Sequence, residues 1–160
     1  QVYGMRTDGK AKVFEWAKSS LKIPANLGKN TRLGALVHEE LELAEKVADI
    51  LRSSIKDLFP KGDKRSSSSK SLIECSERAY WQNLEPHFYE LIESFASLPE
   101  NAPDDSDLIK ETAEPWRKAV EDISKRQFEL AVEDMDADSS ALELQVKARN
   151  NFYSRLRRVL

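Results

Sequence analysis

Residues 31–60 read TRLGALVHEELELAEKVADILRSSIKDLFP, and their apolar positions decide the fold. Leu36, Leu43, Ala44, Val47, Ile50, Leu51, Ile55 and Leu58 recur at three- and four-residue steps, which gathers them into one stripe on a helix of 3.6 residues per turn. Asn30 or Thr31 supplies an N-cap, and Pro60 stops the helix.

Working outward, the same periodicity returns three times. A second helix is predicted from about Ser71 to Leu98, with Leu72, Ile73, Cys75, Ala79, Leu84, Phe88, Leu91, Ile92 and Phe95 facing inward and Pro86 kinking it. Pro99 and Pro103 bracket a turn. Asp105 or Ser106 then starts a third helix through Leu108, Trp116, Val120, Ile123, Phe128, Ala131, Val132 and Met135, with a kink or break at Pro115. A fourth begins near Ser139 or Ser140 and buries Leu144, Ala148, Phe152, Leu156 and Val159. Between the first two helices, Lys61 to Lys70 includes four consecutive serines, a composition that predicts a mobile loop.

Upstream, Gly4, Gly9, Pro24 and Gly28 and the loose alternation over Lys10 to Trp16 predict a loop, a short extended piece and a linker. The expected architecture is all-α: an antiparallel up-and-down four-helix bundle over residues 31–160, preceded by a short loop and extended segment over residues 1–30. A chain of 160 residues opening Gln-Val-Tyr, without an initiator methionine, reads as one domain excised from something longer. No apolar run is long enough to span a bilayer, and the N-terminus lacks the pattern of a signal peptide.

Composition narrows the chemistry. Cys75 is the single cysteine, which excludes an internal disulfide and points to a reducing, cytoplasmic setting. With only His38 and His87 beside it, the ligand set for zinc is too small, and neither Glu85-Pro-His87 nor His38-Glu39-Glu40 has the Glu-x-x-His spacing of a bundle metal site. The histidines read as surface or boundary residues. No metal and no cofactor is expected. Cys75 sits on an apolar helix face without a local histidine, and no Gly-x-Ser-x-Gly elbow occurs, so the chain does not read as an enzyme.

Charge is distributed more unevenly than the net value of -3 suggests. Residues 1–32 carry seven basic groups against two acidic ones, residues 99–140 carry thirteen acidic against five basic, and residues 141–160 carry five basic against Glu143 alone. On the fourth helix Lys147, Arg155 and Arg158 line one flank of the apolar stripe, and Arg149 and Arg157 line the other. Such cations suit nucleic-acid phosphates, but they equally suit the helix C-terminal dipole and the acidic third helix. Lys64 and Arg65 in the serine loop carry the same two readings. Tyr80, Trp81, Phe88 and Tyr89 could stack on bases or fill the core; Tyr80 and Trp81 point about 100° apart, so only one of them is expected at the centre of the stripe.

The order of motifs then carries a resemblance. Tyr3-Gly4-Met5-Arg6-Thr7-Asp8-Gly9-Lys10-Ala11-Lys12-Val13, Glu15-Trp16, a long Glu- and Leu-rich helix, Tyr80-Trp81-Gln82-Asn83-Leu84-Glu85-Pro86-His87-Phe88, Pro115-Trp116-Arg117, and Ala148-Arg149 to Leu156-Arg157-Arg158 follow one another across nearly the whole chain. Together they resemble the C-terminal part of CasA, the large subunit of the type I-E CRISPR surveillance complex, Cascade. The resemblance implies a four-helix bundle following a larger N-terminal domain. It also implies a subunit that recognises the protospacer-adjacent motif, helps open the strands and recruits a helicase-nuclease, with the bundle contacting small subunits and guiding the displaced strand.

In that family the loop before the bundle inserts a glutamine-bearing wedge into DNA, and Asp8-Gly9-Lys10-Ala11 is the matching stretch. Lys10 stands where the glutamine would fall. A lysine can enter the negative potential of a minor groove but cannot copy an amide's donor and acceptor. The expected DNA-binding set is therefore Asp8, Gly9, Lys10, Lys12, Lys64, Arg65, Lys147, Arg149, Arg155, Arg157 and Arg158, with no catalytic residue; the competing expectation is a bundle that docks proteins alone.

Overall fold

The structure, a computed structural model, describes residues 32–59, 66–99, 101–103, 107–134 and 139–160. Among these the chain forms four helices, α1 (Arg32–Lys56), α2 (Ser66–Ala96), α3 (Asp107–Asp134) and α4 (Ser139–Val159), and no strand. The expected entrance loop, its extended piece and the cap candidates Asn30, Thr31, Asp105 and Ser106 lie outside the described residues.

Buried positions on α1 run Val37, Leu41, Ala44, Ala48, Leu51, Ile55 and, just past the helix, Leu58. That alternation of four- and three-residue steps is the seam of a left-handed bundle, in which side chains of one helix seat between those of its neighbours. Leu36 and Ile50, expected in the stripe, pack against the core from its edge, and Leu43 is likewise only half-buried. On α2 the seam runs Trp81, Leu84, Phe88, Leu91 and Phe95, and on α4 it runs Ala148, Phe152 and Leu156.

Cross-helix bonds fix the directions. Arg32, at the start of α1, donates to the carbonyls of Pro99 (3.2 Å) and Ala102, just beyond α2. Near the other end of α1, Arg52 donates to Glu77 early in α2 and, at 2.9 Å, to Asp49. α1 and α2 are thus antiparallel. Phe88, near the end of α2, meets Trp116, near the start of α3, at 5.7 Å between centroids, so α3 runs back along α2. Phe128 stacks on Phe152 at 4.5 Å while Arg157 and Leu160, farther along α4, lie beside Glu114 and Glu121, earlier in α3, so α4 is antiparallel to α3. The up-and-down arrangement follows. α2 does not pack substantially on α4, whereas α1 reaches α3 across the bundle, so the cross-section is a rhombus with α1 and α3 on its short diagonal.

That diagonal is held by polar anchors. The Trp116 indole N–H donates to the Glu40 carbonyl at 3.1 Å, while the Arg117 guanidinium grips the Glu40 carboxylate twice, at 2.9 and 3.1 Å. Glu40 is 4% exposed, and a carboxylate so buried requires such a partner. Tyr80 donates its hydroxyl to the Ala44 carbonyl at 2.7 Å, which settles its polar tip inside the core.

Several sequence expectations are corrected. Ser66–Lys70 are helical, not part of a mobile loop: once α2 is packed, each further residue adds a backbone bond at little cost, and serine suits the first turn of a helix. Residues 61–65 lie outside the description. Both Tyr80 and Trp81 are buried, since α2 is packed from two sides by α1 and α3, and the two rings meet edge-on at 5.2 Å. Leu108 is exposed and Ile109 takes its place inside; Cys75 is exposed on α2; His38 is buried. Pro86 and Pro115 interrupt neither helix. Both are exposed, as are Gln82 and Glu111 one turn before them, so the carbonyls that lose a partner face water.

Candidate nucleic-acid interface

α4 carries the five expected cations, and the packing of α3 against it divides them. Arg149 donates from Nε to Glu129 Oε2 at 2.8 Å and from Nη2 to Oε1 at 2.7 Å, a two-pronged bond across the α3–α4 seam. Tyr153, one turn on, donates its hydroxyl to the same carboxylate at 2.7 Å, and the Lys125 ammonium lies 5.5 Å from the Tyr153 ring centroid. Arg149 and Tyr153 together hold the Glu129 carboxyl below the usual carboxylate range, Arg149 contributing most. Partial burial and the adjacent carboxylate push the Tyr153 hydroxyl up to about 12. The charge of Arg149 is thus committed to the fold.

Arg157, on the same flank, lies at the margin of a shallow surface pocket of about 290 Å³ that it shares with Glu114, Arg117, Lys118, Glu121 and Leu160. It is exposed. On the opposite flank Lys147 and Arg158 are exposed and Arg155 is half-buried. Among the described residues Lys147, Arg155, Arg157 and Arg158 form no ion pair. From Lys147 to Arg158 the helix rises roughly 16 Å, so the open flank presents three cations in a row about that long.

α3 separates its charges likewise. Lys118 faces Asp122 at 3.8 Å and Lys125 faces Glu121 at 3.0 Å, both one turn apart on the solvent side. These exposed pairs leave much of the acidic surplus on α3 unneutralised. A phosphate strand laid on the bundle is accordingly repelled by α3 and attracted to α4.

Asp8, Gly9, Lys10, Lys12, Lys64 and Arg65 lie outside the described residues, so the structure brings together only the α4 members of the expected set. The aromatic platform is withdrawn: Tyr80, Trp81 and Phe88 are buried and offer no ring face to a base, leaving only Tyr89 exposed. Among the described residues no group of three histidine, cysteine, aspartate or glutamate side chains could hold a metal ion, and no helix is long and apolar enough to cross a membrane. Sequence reasoning missed Glu129 and the two donors, Arg149 and Tyr153, that meet on it. Their signal was faint, because it required knowing that residue 129 on one helix faces residue 149 on the next.

Two motifs that carry the resemblance, Tyr80–Phe88 and Pro115–Arg117, prove to be the anchors that set α2 and α3 on α1. No curated protein and no solved structure matches the chain. Residues 1–127 match the family model of CRISPR-associated protein Cse1, which reaches through α1, α2 and most of α3 and stops short of α4. The chain belongs to the CRISPR-associated Cse1 family, also known as CasA, whose members are subunits of the CRISPR surveillance complex Cascade.

Proposed function

We propose that this bundle is a non-catalytic domain that handles nucleic acid and docks subunits within a type I-E surveillance complex for antiviral defence in the prokaryotic cytoplasm. The flank of α4 bearing Lys147, Arg155 and Arg158 receives the displaced strand of an opened target, with Arg157 adding positive charge from the opposite flank. The observation that supports this most is the division of the α4 cations: Arg149 is spent on Glu129, while the other four form no ion pair among the described residues. Cations needed only to steady the bundle would be drawn to the acidic α3, as Arg149 is.

Residues 1–30 act as the entrance from a preceding N-terminal domain. Gly9 lets the backbone approach the duplex, Asp8, Lys10 and Lys12 flank that contact, and Lys64 and Arg65 add transient phosphate contacts between α1 and α2. The small subunit docks on the bundle, and the helicase-nuclease is recruited by the full-length subunit.

The test is made in the assembled complex with target DNA bound. Changing Lys147, Arg155 and Arg158 to glutamine should leave subunit stoichiometry intact and abolish crosslinks from α4 to the displaced strand. Loss of a subunit with those crosslinks preserved would instead make α4 a protein-docking face.

A further inference from the structure

Between the cations on the open flank of α4 stand two neutral hydrogen-bonding side chains. Asn151 lies one turn after Lys147 and one turn before Arg155, and Ser154 lies one turn before Arg158. At 100° per residue these five positions fall within about 100° of the helix circumference, and successive members of the Lys147–Asn151–Arg155 row are about 6 Å apart along the axis. Phe152 and Leu156 point into the core, away from this sector, which leaves Asn151 exposed and Ser154 half-buried. Glu143, the single acidic residue of α4, stands at the sector's edge.

Elsewhere on the bundle such side chains turn back on their own helix. Ser53 donates to the Asp49 carbonyl at 2.9 Å, Asn83 to that of Ala79 at 2.8 Å, Ser97 to that of Glu93 at 2.9 Å and Thr112 to that of Leu108 at 2.7 Å. Asn151 and Ser154 form no side-chain hydrogen bond among the described residues. Helix propensity does not account for Asn151 either, since asparagine is among the poorer helix formers and this one follows Asn150 in the middle of α4. The sector carries no aromatic side chain; Tyr153 is on the other flank, its hydroxyl bound to Glu129. A surface of cations and neutral donors without a ring can hold a sugar–phosphate backbone but cannot stack bases.

We propose that Asn151 and Ser154 are phosphate-binding residues, the Asn151 amide and the Ser154 hydroxyl donating to backbone oxygens of the same strand that Lys147, Arg155 and Arg158 neutralise. This rests on the proposed contact of α4 with the displaced strand and deepens it: the flank grips the backbone by directed hydrogen bonds as well as by charge, and grips every base sequence alike. A neutral donor releases no counterion, so its contribution survives added salt, whereas that of the cations fades.

Fluorescence anisotropy of the full chain with oligo(dT) and with oligo(dA) across a salt series separates the two contributions. Asn151→Ala should weaken binding about threefold to tenfold on both strands and leave the slope of log K against log salt unchanged, and Ser154→Ala should act in the same way but less. Asn151→Gln, which keeps the amide, should bind within about twofold of the parent. Tm should not fall in Asn151→Ala, because alanine is the better helix former. A loss confined to oligo(dA) would make Asn151 a reader of the adenine edge and overturn the proposal, and a fall in Tm accompanying the loss would make it a support of the fold instead. Parental affinity in Asn151→Ala, alongside a slope made shallower by changing Lys147, Arg155 and Arg158 to glutamine, would overturn this inference and leave the strand contact standing. A slope unmoved by those three changes would remove both.

Discussion

Arg117→Ala should destabilise the bundle far more than an exposed arginine normally would. The Glu40 side chain is 5% exposed and that of Arg117 38%, so removing the guanidinium strands a buried carboxylate whose second anchor, Trp116, touches only its backbone. Breaking a fully buried pair costs about 3–5 kcal/mol, but Arg117 lies partly in water that can enter in its place, which reduces the expected loss to about 2 kcal/mol. At this chain length that corresponds to a fall in Tm of roughly 4–8 °C. Urea unfolding followed by helical circular dichroism reads it. Glu40→Gln in the Arg117→Ala background should restore much of the loss, because the uncompensated charge is then gone, and replacing both by leucine should approach the parent. A loss below about 0.5 kcal/mol for Arg117→Ala, the scatter of ordinary surface substitutions, would refute the view that this pair fixes α1 on α3.

Three further outcomes follow from the α3–α4 seam. Phe152→Ala removes a ring with no exposure, stacked on Phe128, and should cost about 3–5 kcal/mol in equilibrium unfolding. The Glu129 carboxyl titrates below its ordinary range, so its contribution to stability is complete above the unfolded-state value and is lost as pH falls through the folded one. Glu129→Gln should therefore flatten that acid limb of the stability curve and lower stability at neutral pH. Tyr153 should ionise at about 12, against about 10 for an exposed tyrosine, when followed by ultraviolet difference absorbance, and Glu129→Gln should bring it down.

The helices themselves were legible in the sequence because periodicity reports which side of a segment avoids water, and neither Pro86 nor Pro115 outweighed it. What periodicity could not settle was how many neighbours each helix has. Tyr80 and Trp81 compete for one stripe only if α2 packs on a single helix; packed between α1 and α3, it buries both. Ser66–Lys70 looked too polar to order, yet a helix end needs only continuity with a buried stretch. Leu108 lost its inward place to Ile109 by one residue, or 100° of rotation. At the candidate site the sequence supplied five cations on α4 and two explanations for them. The choice for Arg149 depended on Glu129, twenty residues away, and only the packed seam brings the two together.

The central claim is that the open flank of α4 meets phosphate, and the salt dependence of single-strand binding by the full chain tests it most directly. Fluorescence anisotropy across a salt series should show weak binding in the 10⁻⁴ to 10⁻⁶ M range typical of non-specific contact, and changing Lys147, Arg155 and Arg158 together to glutamine should make the slope of log K against log salt shallower by about 2. An unchanged slope in a folded triple variant, or no binding by the parent even at low salt, would contradict the account and assign those cations to a protein partner.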